Sequence, residues 1–280
     1  MSANAASVPL KKLANGASIP SIGLGTYPMD DAEAGAAVVH ALEAGYRLID
    51  TAENYFNEEG IAEGIVRSGV PRAELFVTTK FNKRWHSVEG VRTAWERSVT
   101  RLELEYLDLL LIHWPNPDQN RYVEAWKGLV RLLEEGKVRA IGTSNFTPAQ
   151  LGEIIDATGV VPDVNQIQHS PLWLKDEQLD FHARHGIVTE SWSPLGKGGS
   201  LLASPAVEDA ARAHGVTPAQ AVLRWHVQRG AVPIPKTTDP VRMSENLDVF
   251  GFELTGEQVA AIDALDGTGP APADPMAFGH

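Results

Sequence analysis

A strand-like run followed by a helix-like run recurs eight times along this chain, and no stretch breaks the rhythm. The strand-like runs are Ile22–Thr26, Tyr46–Ile49, Leu75–Thr79, Leu107–Ile112, Val138–Thr143, Val164–Gln168, Ile187–Trp192 and Ala231–Pro235. Between them lie segments with apolar residues at helical spacing, such as Ala34, Val38, Ala41 and Leu42 ahead of Gly45, or Trp126, Leu129, Val130 and Leu133. Helix starts are marked by Thr147-Pro148 and Thr217-Pro218, and Thr255 with Gln258 has the spacing of a capping box. Leu107–Ile112 is apolar almost throughout, as a strand covered on both faces should be. Eight such units in 280 residues give about 35 residues each, the size of a βαβ repeat. The pattern predicts one α/β domain over residues 1–280, a (β/α)8 TIM barrel. An N-terminal β-hairpin precedes it, with Asn15-Gly16 as its tight turn. An extra C-terminal helix and a Gly/Pro/Ala-rich tail from Asp266 follow it. A doubly wound open sheet is the alternative, but no strand–turn–helix carries G-x-G-x-x-G, and Gly196-Lys197-Gly198-Gly199 has the wrong spacing.

Composition narrows the chemistry. With no cysteine, disulfides, thiolate nucleophiles, iron–sulfur clusters and Cys-ligated zinc are excluded. A net charge of −12 argues against nucleic-acid binding, which needs a basic face. Residues 1–13 lack the apolar centre of a secretory signal, and the longest apolar run is too short to cross a bilayer. The expectation is a cytoplasmic monomer acting on a small molecule, with no membrane partner and no metal.

In a parallel barrel the carboxyl ends of the strands form the reactive rim. Asp50 and Tyr55 follow the second strand, Lys80 the third and His113 the fourth; Ser144-Asn145 follow the fifth, and Trp192-Ser193 and Lys236 end the seventh and eighth. Singly each has an ordinary reading: Asp50 a turn cap, Tyr55 a loop aromatic, His113 a core histidine, Lys80 a solvated lysine. Together a phenol, an amine, a carboxylate and an imidazole form an acid–base device. An ammonium beside a phenol stabilises the phenolate and lowers a pKa that is ordinarily ~10. A carboxylate keeps the ammonium charged, and an imidazole can hold a substrate oxygen. Such a site gives a proton to an oxygen that is gaining negative charge.

Gly23-Leu24-Gly25-Thr26, Leu48-Ile49-Asp50-Thr51-Ala52 with Tyr55, Thr79-Lys80, Ile112-His113-Trp114-Pro115, Gly142-Thr143-Ser144-Asn145-Phe146, Val164-Asn165-Gln166, Ser191-Trp192-Ser193-Pro194-Leu195-Gly196 and Ile234-Pro235-Lys236 occur in that order. In this set the chain resembles the aldo-keto reductases, closest to bacterial 2,5-diketo-D-gluconate reductase-like members, from the Asn15-Gly16 hairpin to the last helix. The resemblance implies reduction of aldehydes and ketones (keto-sugars, α-dicarbonyls, keto esters) with NADPH, or more weakly NADH, laid across the strand ends. Tyr55 would be the proton donor, Lys80 and Asp50 its tuning pair, and His113 the orienter of the carbonyl. The resemblance also places Ser144, Asn145 and Gln166 at the nicotinamide carboxamide and Trp192 against its ring. Gly25 and Thr26 would face the cofactor, and Ser193, Leu195 and Gly196 its pyrophosphate. Lys236, Thr237 and Arg242 would hold the 2′-phosphate, Glu245 and Asn246 the adenine, while Tyr27, Trp85 and Trp114 would wall the substrate pocket. Gln168 stands where Glu is usual, Ser170 where His is usual, and Asp239 where a neutral or basic residue is usual, which puts substrate and cofactor preference in question.

Two other classes stay open on the sequence. The same barrel could serve as a cofactor-binding regulatory module with little turnover, against which the complete set Asp50, Tyr55, Lys80 and His113 speaks. A metal-dependent hydrolase would need His113 with His182 and His185, but the latter two fall on one outer helix, where a surface position is expected.

Overall fold

The computed structural model describes residues 8–279. Strands β1 (Leu10–Lys12) and β2 (Ser18–Pro20) form an antiparallel hairpin. Eight parallel strands follow: β3 (Leu24–Gly25), β4 (Leu48–Asp50), β5 (Phe76–Phe81), β6 (Leu107–Ile112), β7 (Val138–Ser144), β8 (Val164–Gln168), β9 (Val188–Trp192) and β10 (Val232–Ile234), each hydrogen-bonded to the next. The helices are α1 (Asp31–Ala44), α2 (Glu58–Ser68), α3 (Val88–Arg101), α4 (Tyr122–Glu134), α5 (Pro148–Thr158), α6 (Asp176–His185), α7 (Pro205–His214), α8 (Pro218–Gln228), α9 (Pro240–Leu247) and α10 (Gly256–Asp263). Across the seam, the Gly23 and Gly25 amides donate to the carbonyls of Pro233 and Pro235 at 3.1 and 3.0 Å. A (β/α)8 barrel with a preceding hairpin, a last helix and a tail is therefore the observed architecture.

Period-two alternation decides which residues fill the barrel. The inward positions near the strand starts are apolar, and Leu48, Phe76, Leu109, Leu111, Ala140, Val164, Val188, Val232 and Ile234 pack into one buried cluster with Leu13 and Ile19 of the hairpin. Two residues further along the same faces come Asp50, Gln166 and Glu190, which the register sets near one another: Gln166 lies beside Glu190, and Asp50 beside Thr78. Each strand thus runs from an oily floor to a polar rim. Gly142 is obligatory in this wall, because a Cβ there would come within 2.4 Å of the Val164 carbonyl oxygen.

Several local signals correspond to real caps. Thr147 and Thr217 each accept from the amide three residues on and close capping boxes with Gln150 and Gln220, and Thr255 does so with Gln258. Helix α7 is an addition to the sequence reading. Its apolar face consists of Val207, Ala210 and Ala211, too small to stand out, although Ser204-Pro205 stands at its start, without the side-chain cap that Thr147 gives α5. Lys80 lies within β5, one residue before its end, since Phe81 continues the ladder opposite Ile112.

The hairpin differs from a tight Asn-Gly turn. Five residues, 13–17, connect its strands, and of Asn15 and Gly16 only Gly16 has positive φ, at 91°. Asn15 instead binds the barrel floor. Its backbone and side-chain nitrogens each donate to Asp163 at 3.0 Å, and Asp163 also accepts from the Ile141 amide at 3.1 Å. Asn15→Ala is expected to lower stability by about 1–2 kcal/mol through loss of the charge-assisted side-chain bond to Asp163. Urea unfolding measures it, and a change within a few tenths would show that the hairpin is held to the barrel by its apolar contacts alone.

Candidate active site

Lys80 is the centre of the rim. Its side chain is fully buried, and Nζ donates to Asp50 Oδ1 at 2.7 Å and to the Thr51 carbonyl at 2.9 Å. Burial works against the ammonium, but the charge and hydrogen bond of Asp50 act the other way, and the Lys80 pKa ends above its ordinary value. Nζ lies 5.2 Å from the centroid of the Tyr55 ring. Tyr55 sits in the short turn Glu53–Tyr55 after β4, and its ring meets that of His113 edge-on at 5.8 Å. The four residues expected to act together are together.

The phenol differs from expectation in one respect. Burial pushes the Tyr55 pKa up, the Lys80 ammonium pulls it down, and the net result lies above the ordinary value, because desolvation of the phenolate is the larger effect. The phenol therefore holds its proton more firmly than a solvent-exposed tyrosine does.

Around this centre the polar side chains orient one another. Gln166 Nε2 donates to Asp50 Oδ2 at 2.8 Å and to Glu190 Oε2 at 3.0 Å. Both amide hydrogens are thereby spent on carboxyl groups, which fixes Gln166 Oε1 as the acceptor end. Asn145, with φ of 64°, donates through Nδ2 to the His113 carbonyl and to Ser144 Oγ, and its Oδ1 accepts from Trp192 Nε1 at 2.8 Å. Ser144 Oγ in turn donates to the Gln166 carbonyl at 2.9 Å. The Thr26 hydroxyl donates to the Asp50 carbonyl at 3.0 Å, and Gly25 packs against Ile234, its amide bound across the seam. Buried Asn57 takes the Thr51 hydroxyl and donates to the Thr26 and Met29 carbonyls, tying the loop that carries Tyr27 to the one that carries Tyr55. Sequence reasoning missed Asn57 and Glu190. Period two counted back from Trp192 would have put Glu190 on the inward face.

The mouth is aromatic. Tyr27 lies 5.0 Å from the Tyr55 ring, and Trp114 stacks beside His113 and meets Phe278 of the tail at 4.8 Å. The tail from Asp266 lies over the rim, with the Pro270 carbonyl accepting from Trp173 Nε1 at 2.8 Å and the Ala273 amide donating to Gln168 at 2.7 Å. The Trp85 indole N–H points to the Glu53 carboxylate, in the turn that carries Tyr55, and Arg84 and Arg97 lie over its ring.

Beyond β9, Ser193 and Gly196 both have positive φ in the loop that also contains Leu195, and Lys197 Nζ lies 5.6 Å over the Trp192 ring. After β10, Lys236 and Arg242 are exposed and Thr237 is buried, its hydroxyl accepting from the Asp239 amide. Glu245 and Asn246 follow on α9, Asn246 buried. Asp239 caps α9 through the Val241 and Arg242 amides, and its second oxygen lies 3.9 Å from Arg242 Nε. It both caps the helix and leans on the guanidinium.

Comparison with known proteins gives the family. Residues 21–267 match the model of the Aldo/keto reductase family. The chain belongs to the aldo/keto reductase family. Relatives include the 2,5-diketo-D-gluconic acid reductase B of Corynebacterium sp. (strain SHS752001), 46% identical with 92% of this chain and 94% of that protein covered. A mutant of Gox0644 solved in complex with NADPH is 42% identical, with a TM-score of 0.93 over 98% of this chain and all of that one (100%). The Bombyx mori aldo-keto reductase in complex with NADP is 34% identical, with a TM-score of 0.89 over 95% of each chain.

For this family member the hydrolase alternative loses its ligands. His182 is buried, not on the surface: its ring nitrogens pair with Asn165 Nδ2 at 3.0 Å and Thr189 Oγ1 at 2.8 Å, in the wall behind β8 and β9. His185 is exposed and stacks on Phe181. Among the described residues no group of three or more His, Cys, Asp or Glu is arranged to hold a metal, and no helix is long and apolar enough to cross a membrane.

Burial lowers the His182 pKa to about 4, so the native state keeps this ring neutral while the unfolded chain protonates it near ~6.5. Its contribution to stability is full above ~6.5 and is lost as pH falls from there toward the folded value. Replacing His182 with Gln should remove about one proton from the acid dependence, ~1.4 kcal/mol per pH unit across that window. Urea unfolding of both proteins at several pH values reads the slope, and equal slopes would show that the ring is charged in the native state.

Proposed function

We propose that this NADP-dependent oxidoreductase, as one domain over residues 1–280 and a cytoplasmic monomer, reduces aldehydes and ketones, with Tyr55 as the proton donor. The observation that carries the reading is the Tyr55–Lys80–Asp50–His113 cluster at the carboxyl ends of β4 to β6. Keto-sugars, α-dicarbonyls and keto esters are the carbonyl compounds proposed. The regulatory alternative would leave unexplained why an ammonium and a carboxylate are buried beneath a phenol, at considerable cost.

The residues present fit NADPH, the cofactor that the family and its NADP(H)-bound members imply. Gln166 Oε1 is the acceptor end of a fixed amide, suited to a carboxamide NH2, and Ser144 and Asn145 flank it. The partly exposed Trp192 indole offers a face for the nicotinamide ring. Ser193, Leu195 and Gly196 form the loop proposed for the pyrophosphate, with Gly25 and Thr26 at the end of β3, the strand beyond β10. Lys236, Thr237 and Arg242 are proposed to hold the 2′-phosphate, and Glu245 and Asn246 the adenine. Bound there, NADPH supplies hydride to the carbonyl carbon.

The protein's part is the proton. His113 holds the carbonyl oxygen at the Tyr55 hydroxyl, between walls formed by Tyr27, Trp85 and Trp114, with Trp85 held by Glu53. As that oxygen gains negative charge, the phenol gives up its proton. Lys80, locked by Asp50 and the Thr51 carbonyl, stabilises the phenolate that remains. Tyr55→Phe should therefore lower turnover by at least ~100-fold with NADPH affinity unchanged within about twofold. Single-turnover kinetics and a binding titration test this, and retention of roughly a tenth of the wild-type rate would mean that another group donates.

Cofactor preference follows from Asp239. Two exposed cations favour a 2′-phosphate, and the carboxylate beside Arg242 opposes it by roughly one to a few kcal/mol before salt screening. Asp239→Thr keeps a capping hydroxyl and frees Arg242. The Michaelis constant for NADPH should fall several-fold while that for NADH holds; a parallel change in both would remove Asp239 from cofactor choice.

A further inference from the structure

Glu190 is a carboxyl group for which the proposed reaction has no role. It sits on β9, fully buried, on the inward face two residues before Trp192. One oxygen accepts from Gln166 Nε2 at 3.0 Å, and the other, Oε1, has no hydrogen-bond partner among the described residues. The same Gln166 nitrogen donates to Asp50 Oδ2 at 2.8 Å, and Asp50 Oδ1 accepts from Lys80 at 2.7 Å. A continuous chain of four side chains thus runs from Glu190 to the ammonium beneath Tyr55. The charged groups facing Glu190 are Asp50 from β4 and Lys80 from β5. On its own sheet neighbours, β8 supplies the neutral Gln166 and β10 has Val232 alongside. One buried cation therefore serves two carboxyl groups.

We propose that Glu190 is a positioning residue whose charge state governs how readily Tyr55 gives up its proton. Protonated, it leaves Lys80 paired with Asp50 alone, and the ammonium still has field to spend on a phenolate. Ionised, it places a second anion on the same ammonium. The phenolate then loses part of its stabilisation, Tyr55 becomes a weaker acid, and proton delivery slows. The reaction would slow at alkaline pH for a reason other than loss of the Tyr55 proton. Desolvation, and after it the Asp50 charge, push the Glu190 pKa up to about 8, which sets the pH at which the change should be seen.

The inference rests on Tyr55 as donor. The test is single-turnover oxidation of NADPH with an aromatic aldehyde in excess, from roughly pH 6 to 10. Wild type should slow by roughly twofold to tenfold with a midpoint near 8. Glu190→Gln, nearly the same shape and still able to accept from Gln166, should show no such step, while its NADPH dissociation constant stays within about twofold at each pH. A merely structural role would weaken binding or stability without removing the step. Persistence of the step in Glu190→Gln overturns the proposal. Should that variant not fold, Glu190→Asp decides: drawing the carboxyl back from Gln166 must move the midpoint, and an unmoved midpoint overturns it. If Tyr55→Phe keeps its rate, the donor assignment fails first; if that variant is inactive and the step persists in Glu190→Gln, only the role of Glu190 fails.

Discussion

The Lys80–Asp50 ion pair is the interaction on which the rim depends. Two charges taken out of water cost several kcal/mol each, and their attraction offsets that only where the remaining donors and acceptors are met. Here they are met by the chain itself: the Thr51 carbonyl takes a second ammonium hydrogen, and Gln166 covers the second Asp50 oxygen. Removing Gln166 would leave the second Asp50 oxygen buried and uncovered, and removing either member of the pair would leave the other charge buried alone. The pair is therefore less a source of stability than a device that specifies one arrangement of β4, β5 and β8, with Tyr55 carried over it.

That arrangement explains how much of the protein was legible in its sequence. The alternation fixed the barrel because each strand must be apolar enough to bury and each helix must cover it. The rim was legible because the strands change character at the same depth, from Leu48 to Asp50 and from Val164 to Gln166. Side-chain direction was harder. His182 reads as a surface residue on α6, yet it faces the sheet, because Asn165 and Thr189 on the outer faces of β8 and β9 offer it two partners. Asn15 reads as a turn residue, yet its role is set by Asp163, 148 positions away in the chain. Such long-range pairs leave no local periodicity.

The phenol shows a similar limit. Sequence reasoning sets a cation beside Tyr55 and concludes that its pKa falls. Burial is a property of the whole barrel mouth, including the tail laid across Trp114 and Trp173, and it carries the balance the other way. A protonated phenol over a locked ammonium suits a donor whose acceptor becomes strongly basic only during the reaction.

The seam of the barrel has a consequence for how the protein is made. Gly23 and Pro233, joined by one backbone hydrogen bond, are separated by 233 − 23 = 210 residues. Contacts of such separation form late, since the entropy of closing the loop must be met before they return any energy. A chain emerging from the ribosome can therefore assemble β3 to β9, with Asp50, Lys80 and Gln166 already in register, as an open curved sheet. Closure waits for β10. Until then β3 and β9 are bare strand edges, open to association with other chains. The interval between synthesis of Trp192 and that of Ile234 is the period in which a chaperone would be of most use.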